Sequence, residues 1–124
     1  MVKGRSRGVN GRQKGARGER QVAELLTNWW QAIEPGCEFI RTPSSGGWAN
    51  PQVRGHFKTS GDLMTTAQRW PFSVEVKHRE GWSVERLERG MSSPVWGWWR
   101  QAIKASIEEK REPMLWFRKN LRSH

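Results

Sequence analysis

Residues 72–77 read Phe-Ser-Val-Glu-Val-Lys, a strict alternation of apolar and polar side chains, and a β-strand is the structure that sorts such a series onto two opposite faces. Phe72, Val74 and Val76 must then be buried, while Ser73, Glu75 and Lys77 share the other face. A sheet with one apolar face needs a helix or a second sheet to cover it. With 124 residues the chain has room for one domain and one core, so a single functional site is expected.

The cover is found on either side of this strand. Val22, Leu25, Leu26, Trp29, Trp30 and Ile33 recur at helical intervals until Pro35-Gly36. Glu19 precedes Val22 by three residues and therefore falls on the same face; taken alone it reads as a first-turn glutamate favouring the helix dipole. Residues 37–42 (CEFIRT) form a short strand candidate, and 43–61 a long loop punctuated by Gly and Pro. Residues 62–66 (DLMTT) pair with 72–77 as an antiparallel hairpin turning at 67–71, where Pro71 is tolerated. A short helix is predicted between a Ser83 cap and a Gly90 stop. Ser93-Pro94 opens a longer helix with Trp99, Ala102, Ile103, Ser106 and Ile107 inward, and residues 113–120 close the chain as a strand. The order is helix, strand, two strands, helix, strand: an α/β fold with a mixed central sheet flanked by helices.

Residues 1–18 hold six Lys or Arg, five Gly and no acid, a composition that reads as a flexible basic arm ahead of a single domain at 19–124. Over the whole chain 22 Lys and Arg outnumber 12 Asp and Glu, a formal charge of +10, which favours a polyanionic partner, nucleic acid first. No stretch approaches transmembrane length and no signal-peptide core precedes the domain, so a cytoplasmic location is expected, the host's if the source is viral. The lone Cys37 excludes an internal disulfide or a thiolate metal cluster. Nine Trp and no Tyr suit core or interface packing, with one or two free to stack on bases.

In a chain this basic the acids are informative. Asp62 is the only aspartate, and the hairpin register puts it opposite Glu75 or Val76. Two carboxylates about 4 Å apart repel by roughly 4 kcal/mol at an effective dielectric near 20, so their pairing gains nothing unless a cation lies between them. Oxygen ligands without Cys or His suit Mg²⁺, with Mn²⁺ as substitute. Lys77 beside them could orient or deprotonate an attacking water and offset charge on a phosphorane-like transition state. Individually, Glu75 with Lys77 would be an ordinary exposed ion pair, and Asp62 a turn residue after Gly61.

The "GD" at 61–62, the "EVK" at 75–77 and the element order resemble the PD-(D/E)XK nuclease superfamily, with its restriction-endonuclease-like αβββαβ core. Within it, "KGARGER" (14–20) and "RTPSSG" (41–46) are similar to segments of the Hjc-type Holliday-junction resolvases of archaea and phages. That resemblance implies metal ligands at Asp62, Glu75 and the Val76 carbonyl. It also implies a helix acid, Glu19, that reaches the metal directly or through water, and a loop serine, Ser45, at the scissile region. The catalytic set is then Glu19, Ser45, Asp62, Glu75 and Lys77. Lys14 and Arg17 on the basic arm and Arg20 beside Glu19, with Arg41, Arg54, Lys58, Arg69 and Arg79 around the site in sequence, are the expected phosphate contacts.

The implied activity is a Mg²⁺-dependent, structure-selective endodeoxyribonuclease leaving 5′-phosphates. A homodimer that resolves branched DNA at four-way junctions, with Trp96 and Trp98 as interface anchors, is the leading reading. Another nuclease of the same fold acting on forks, flaps or duplex is the alternative. A non-catalytic nucleic-acid-binding module is the second, and it leaves the acids unexplained.

Overall fold

The computed structural model describes residues 2–42 and 55–119, of which 2–14 as helical backbone only. Helix α1 (Val2–Trp30) leads to strand β1 (Phe39–Arg41), β2 (Lys58–Ser60), β3 (Leu63–Thr65) and β4 (Phe72–His78). Helices α2 (Val84–Glu88) and α3 (Pro94–Glu109) then connect to β5 (Glu112–Arg118). Without the short β2 and α2 the order is αβββαβ, and the architecture is a restriction-endonuclease-like α/β fold.

Strand β3 lies between β1 and β2, antiparallel to both, while β4 pairs with β5 in parallel. A parallel bridge between Gly61 and Val74 joins the two sheets. The parallel pair requires a crossover, and α2 and α3 supply it. Helix α1 packs on β1 and β4, and α3 packs on β4 and β5, so β4 runs through the middle of the molecule.

The alternation expected at 72–77 is realised. Val74 is fully buried on the α1 side, where Phe72 and Val76 join the core of Val22, Leu26, Trp30, Phe39 and Leu63. Both predicted caps are present: the Ser83 hydroxyl accepts from the Arg86 N–H at 3.2 Å, and that of Ser93 from the Val95 N–H at 3.3 Å.

Four expectations change. The antiparallel hairpin is not β3–β4 but β2–β3, with Gly61-Asp62 as its two-residue turn. The cause is Trp70, expected in a turn and instead 3% exposed, its ring centroid 5.0 Å from that of Trp30, 4.8 Å from Phe39 and 5.1 Å from Phe72. Burying that indole, with Ala67, pins the 66–71 connection against the core while Gln68, Arg69 and Pro71 stay exposed, and prevents β4 from folding back on β3. Its N–H is not stranded, because it donates to the Ser60 hydroxyl at 3.0 Å.

The helix also begins at Val2 rather than Glu19, so the basic stretch 2–18 continues α1. Extending a helix that is already packed fixes one residue per added hydrogen bond, and Arg, Lys and Gln are good helix formers, while the five Gly of the stretch oppose it by about 1 kcal/mol each. Glu19 is consequently mid-helix, with no first-turn dipole role. The buried stripe of α1 is narrower than its apolar periodicity suggested: Leu25, Trp29 and Ile33 are 55%, 51% and 41% exposed. On α3 the inner face is rotated, with Val95, Ala102 and Ser106 buried and Ile107 and Trp99 outward.

Candidate active site

The site is built around the edge of β4 that faces away from β5. Asp62 occupies the tip of the β2–β3 hairpin and is attached there by its backbone and its side chain. Its N–H donates to the Val74 carbonyl at 2.7 Å, its Oδ2 accepts from the Val76 N–H at 2.8 Å, and its own carbonyl accepts from the Thr42 N–H at 3.1 Å. Alternate residues of a strand direct N–H and C=O to the same edge, so the Val76 carbonyl lies on the Asp62 side. Among the described residues no strand covers that edge beyond Val74.

Gly61 makes this approach possible. Its φ is +66°, and a Cβ built there would sit 2.1 Å from the Val74 carbonyl oxygen. Its N–H donates to both carboxylate oxygens of Glu109, at 3.0 Å each, which ties the end of α3 to the turn carrying Asp62. Glu109 was missed by sequence reasoning. The rotated inner face of α3 explains why, since an acid at its end carried no apolar periodicity to reveal it.

Glu75 and Lys77 project from β4 on the α3 side, with Lys77 Nζ 3.4 Å from Glu75 Oε1 and side-chain exposures of only 18% and 15%. Burial raises the pKa of Glu75, and the charge of Asp62 raises it further, against the pull of Lys77. Burial likewise raises Asp62 above the ordinary aspartate range despite the Val76 N–H and the Lys77 charge, and the Glu109 carboxylate adds to the rise. The sequence therefore placed Asp62, Glu75 and Lys77 together correctly, by a register that does not exist.

Glu19 reaches the rim from α1. Its Oε1 accepts from Arg41 Nε at 3.2 Å, and burial followed by the Asp62 charge raises its pKa, with Arg41 and Lys77 opposing. The helix approaches closely here because Gly18 has no side chain: a Cβ would lie 3.2 Å from that of His78.

Other expected residues are not gathered. Lys58 Nζ bonds Gln68 Oε1 at 2.9 Å, and the Gln68 and Arg69 N–H groups are held by Glu34. Both cations thus belong to the far end of the small sheet, because β2 runs away from Asp62 toward Lys58. Arg17, Arg20 and Arg79 are exposed; Arg20 adjoins Glu19 in α1, and Arg79 follows β4. Ser45 and Arg54 lie outside the described residues, as does the side chain of Lys14.

Among the described residues no three His, Cys, Asp or Glu side chains surround one point. The donors available for a metal are two carboxylates and a backbone carbonyl, all oxygen. That set fits a hard ion that keeps most of its water, and two adjacent carboxyls with raised pKa are the environment a divalent charge relieves.

Residues 10–124 match the model of a family described as "Phage putative PDDEXK endonuclease". Comparison with curated proteins and with solved structures gave no match.

Proposed function

The chain belongs to the phage PDDEXK endonuclease family, and on that premise we propose that it is a Mg²⁺-dependent, structure-selective endodeoxyribonuclease, an Hjc-type resolvase of four-way DNA junctions. The observation that carries the metal-dependent reading is the Asp62–Glu75 pair. Its two carboxyls are held together by the Val76 peptide and the β4 backbone although burial opposes the ionisation of both and the Asp62 charge opposes that of Glu75. Asp62, Glu75 and the Val76 carbonyl would hold the ion, with Mn²⁺ as substitute. Bound there, the ion would polarise the scissile phosphate and acidify a water.

The protein's own groups do the remainder. Lys77 lies close enough to Glu75 to orient the attacking water and to offset charge on the phosphate oxygens. Arg41, fixed by Glu19, offers a guanidinium to a flanking phosphate. Exposed Arg17, Arg20 and Arg79 extend the positive track. Water attack in line would leave a 5′-phosphate and a 3′-hydroxyl.

A junction has two opposed strands to cut, which calls for two sites on a twofold dimer. The apolar groove of Leu87, Val95, Trp96, Trp99 and Leu115 beside the edge of β5 that no strand covers among the described residues is the surface suited to it. Trp96, 41% exposed, remains an anchor there; Trp98 is turned inward toward Phe117, and Trp99 takes its place.

Cleavage of a synthetic four-way junction, a flap and a linear duplex in Mg²⁺ tests the proposal. Junction cutting in paired incisions, lost in Asp62→Asn, is the expected result. Equal rates on all three substrates would leave a nuclease of another preference, and undiminished cutting by Asp62→Asn would remove the metal site.

A further inference from the structure

The sheet face that carries Glu75 and Lys77 continues sideways into β5, where Leu115 and Phe117 are their direct cross-strand partners. Neighbouring strands lie about 4.8 Å apart, so the Phe117 ring is the immediate neighbour of Lys77. Against Phe117 stands Trp82, centroids 4.9 Å apart at 73°, and Trp98 approaches from α3 at 6.2 Å. The Trp82 indole is only part-buried yet fixed on several sides. Its N–H donates to the Arg79 carbonyl at 3.0 Å, and Lys119 Nζ lies 5.3 Å from its ring centroid. Arg79 and Lys119 are exposed beside it, and Glu80 is the one acid in 77–83 and 116–119.

We propose that Trp82, braced by Phe117, is a stacking platform for a nucleobase that is unpaired next to the scissile phosphate. The inference rests on the nuclease reading and narrows its substrate to DNA with bases open at or beside the cut. A part-buried indole held rigid among cations is suited to a ligand with a flat π-face and an anionic group at once. A nucleotide brings both: the base takes the ring, and Lys119 moves from the indole onto the phosphate. A fully paired duplex keeps its bases stacked on each other and offers the platform nothing.

The test is anisotropy of fluorescein-labelled DNA in EDTA, which permits binding without cutting, with a fully paired duplex and the same duplex carrying unpaired thymines. The native protein prefers the unpaired form. Trp82→Ala weakens that form about tenfold or more and the paired form less than about twofold, while Trp82→Phe retains most of the preference. Equal loss on both probes, or on neither, overturns the platform. So does loss of self-association in Trp82→Ala with unpaired-strand binding intact, which would assign the cluster to a second copy.

Should Trp82→Ala fail to fold, 2-aminopurine placed at the unpaired position decides with the native protein. Quenching on binding is expected, and its absence refutes the platform. If the native protein cuts no DNA in Mg²⁺ while the Trp82-dependent preference holds, the nuclease reading fails and the platform stands. If the native protein cuts junctions normally and Trp82→Ala binds both probes as the native protein does, the platform fails and the nuclease reading stands.

Discussion

Asp62 and Glu75 share one strand edge, and their raised pKa values make the metal-free protein respond to pH in a direction opposite to that of most carboxylates. A carboxyl that holds its proton more tightly when folded stabilises the fold below its unfolded pKa of about 4 and loses that contribution as pH rises through the folded value. Thermal melts in EDTA should therefore fall from about pH 4 upward, with a smaller slope in Glu75→Gln. Glu34 works the other way. Although desolvation pulls it up, hydrogen bonds from the Trp30 indole and the Gln68 and Arg69 amides, with the Arg69 charge, hold its pKa down. Its contribution is present above about pH 4 and disappears as pH falls through its lowered value; Glu34→Gln should flatten the acid limb alone. In cleavage assays Lys77→Ala should lose about 10² to 10⁴ in rate, the range for a positioned proton-transfer group.

At the level of elements, the Gly61-Asp62 turn decides whether the site exists. Gly61→Ala places a methyl against the Val74 carbonyl at a positive φ and should cost about 2–4 kcal/mol in urea unfolding. Glu109→Gln keeps an oxygen for the Gly61 N–H and should cut near the native rate. Glu109→Asp keeps the charge but withdraws the oxygens, and should be several-fold slower; equal rates in the two would disprove a positioning role for that hydrogen bond. What the sequence revealed about these elements follows from what each is made of. The strand at 72–77 was legible because one of its faces is core and the other polar. The Ser83 and Ser93 caps were legible because capping is local chemistry. Strand β2 has three residues, two of them exposed, and no alternation to detect. Trp70 could not be placed, since an indole beside a proline reads equally as turn or core until its neighbours are known. On α3 Ala102 and Ser106 face inward as expected, and the face was misread at its margins because Glu109 turns in as a polar group with a partner while the apolar Ile107 is 71% exposed.

For the whole molecule, the proposed function makes the charge of +10 a long-range attraction to DNA whose useful part is the part near the cut. Affinity should fall with salt, log K against log salt having a slope near −0.9 for each phosphate neutralised. Replacing Arg17 and Arg20 by Gln should reduce that slope by about one to two. Replacing Lys58 and Arg69, at the far end of the small sheet, should leave it unchanged, and the same loss from both pairs would mean that charge acts without regard to place. No helix among the described residues is long and apolar enough to cross a membrane. The proposed chemistry depends on a cation being accepted between two part-buried carboxyls. Titration calorimetry of Mn²⁺ into the metal-free protein, in buffers of different ionisation heat, measures that directly. Binding with net proton release, weakening as pH falls and abolished in Asp62→Asn, is the predicted result; binding unaltered by Asp62→Asn, or none in the native protein, would contradict it.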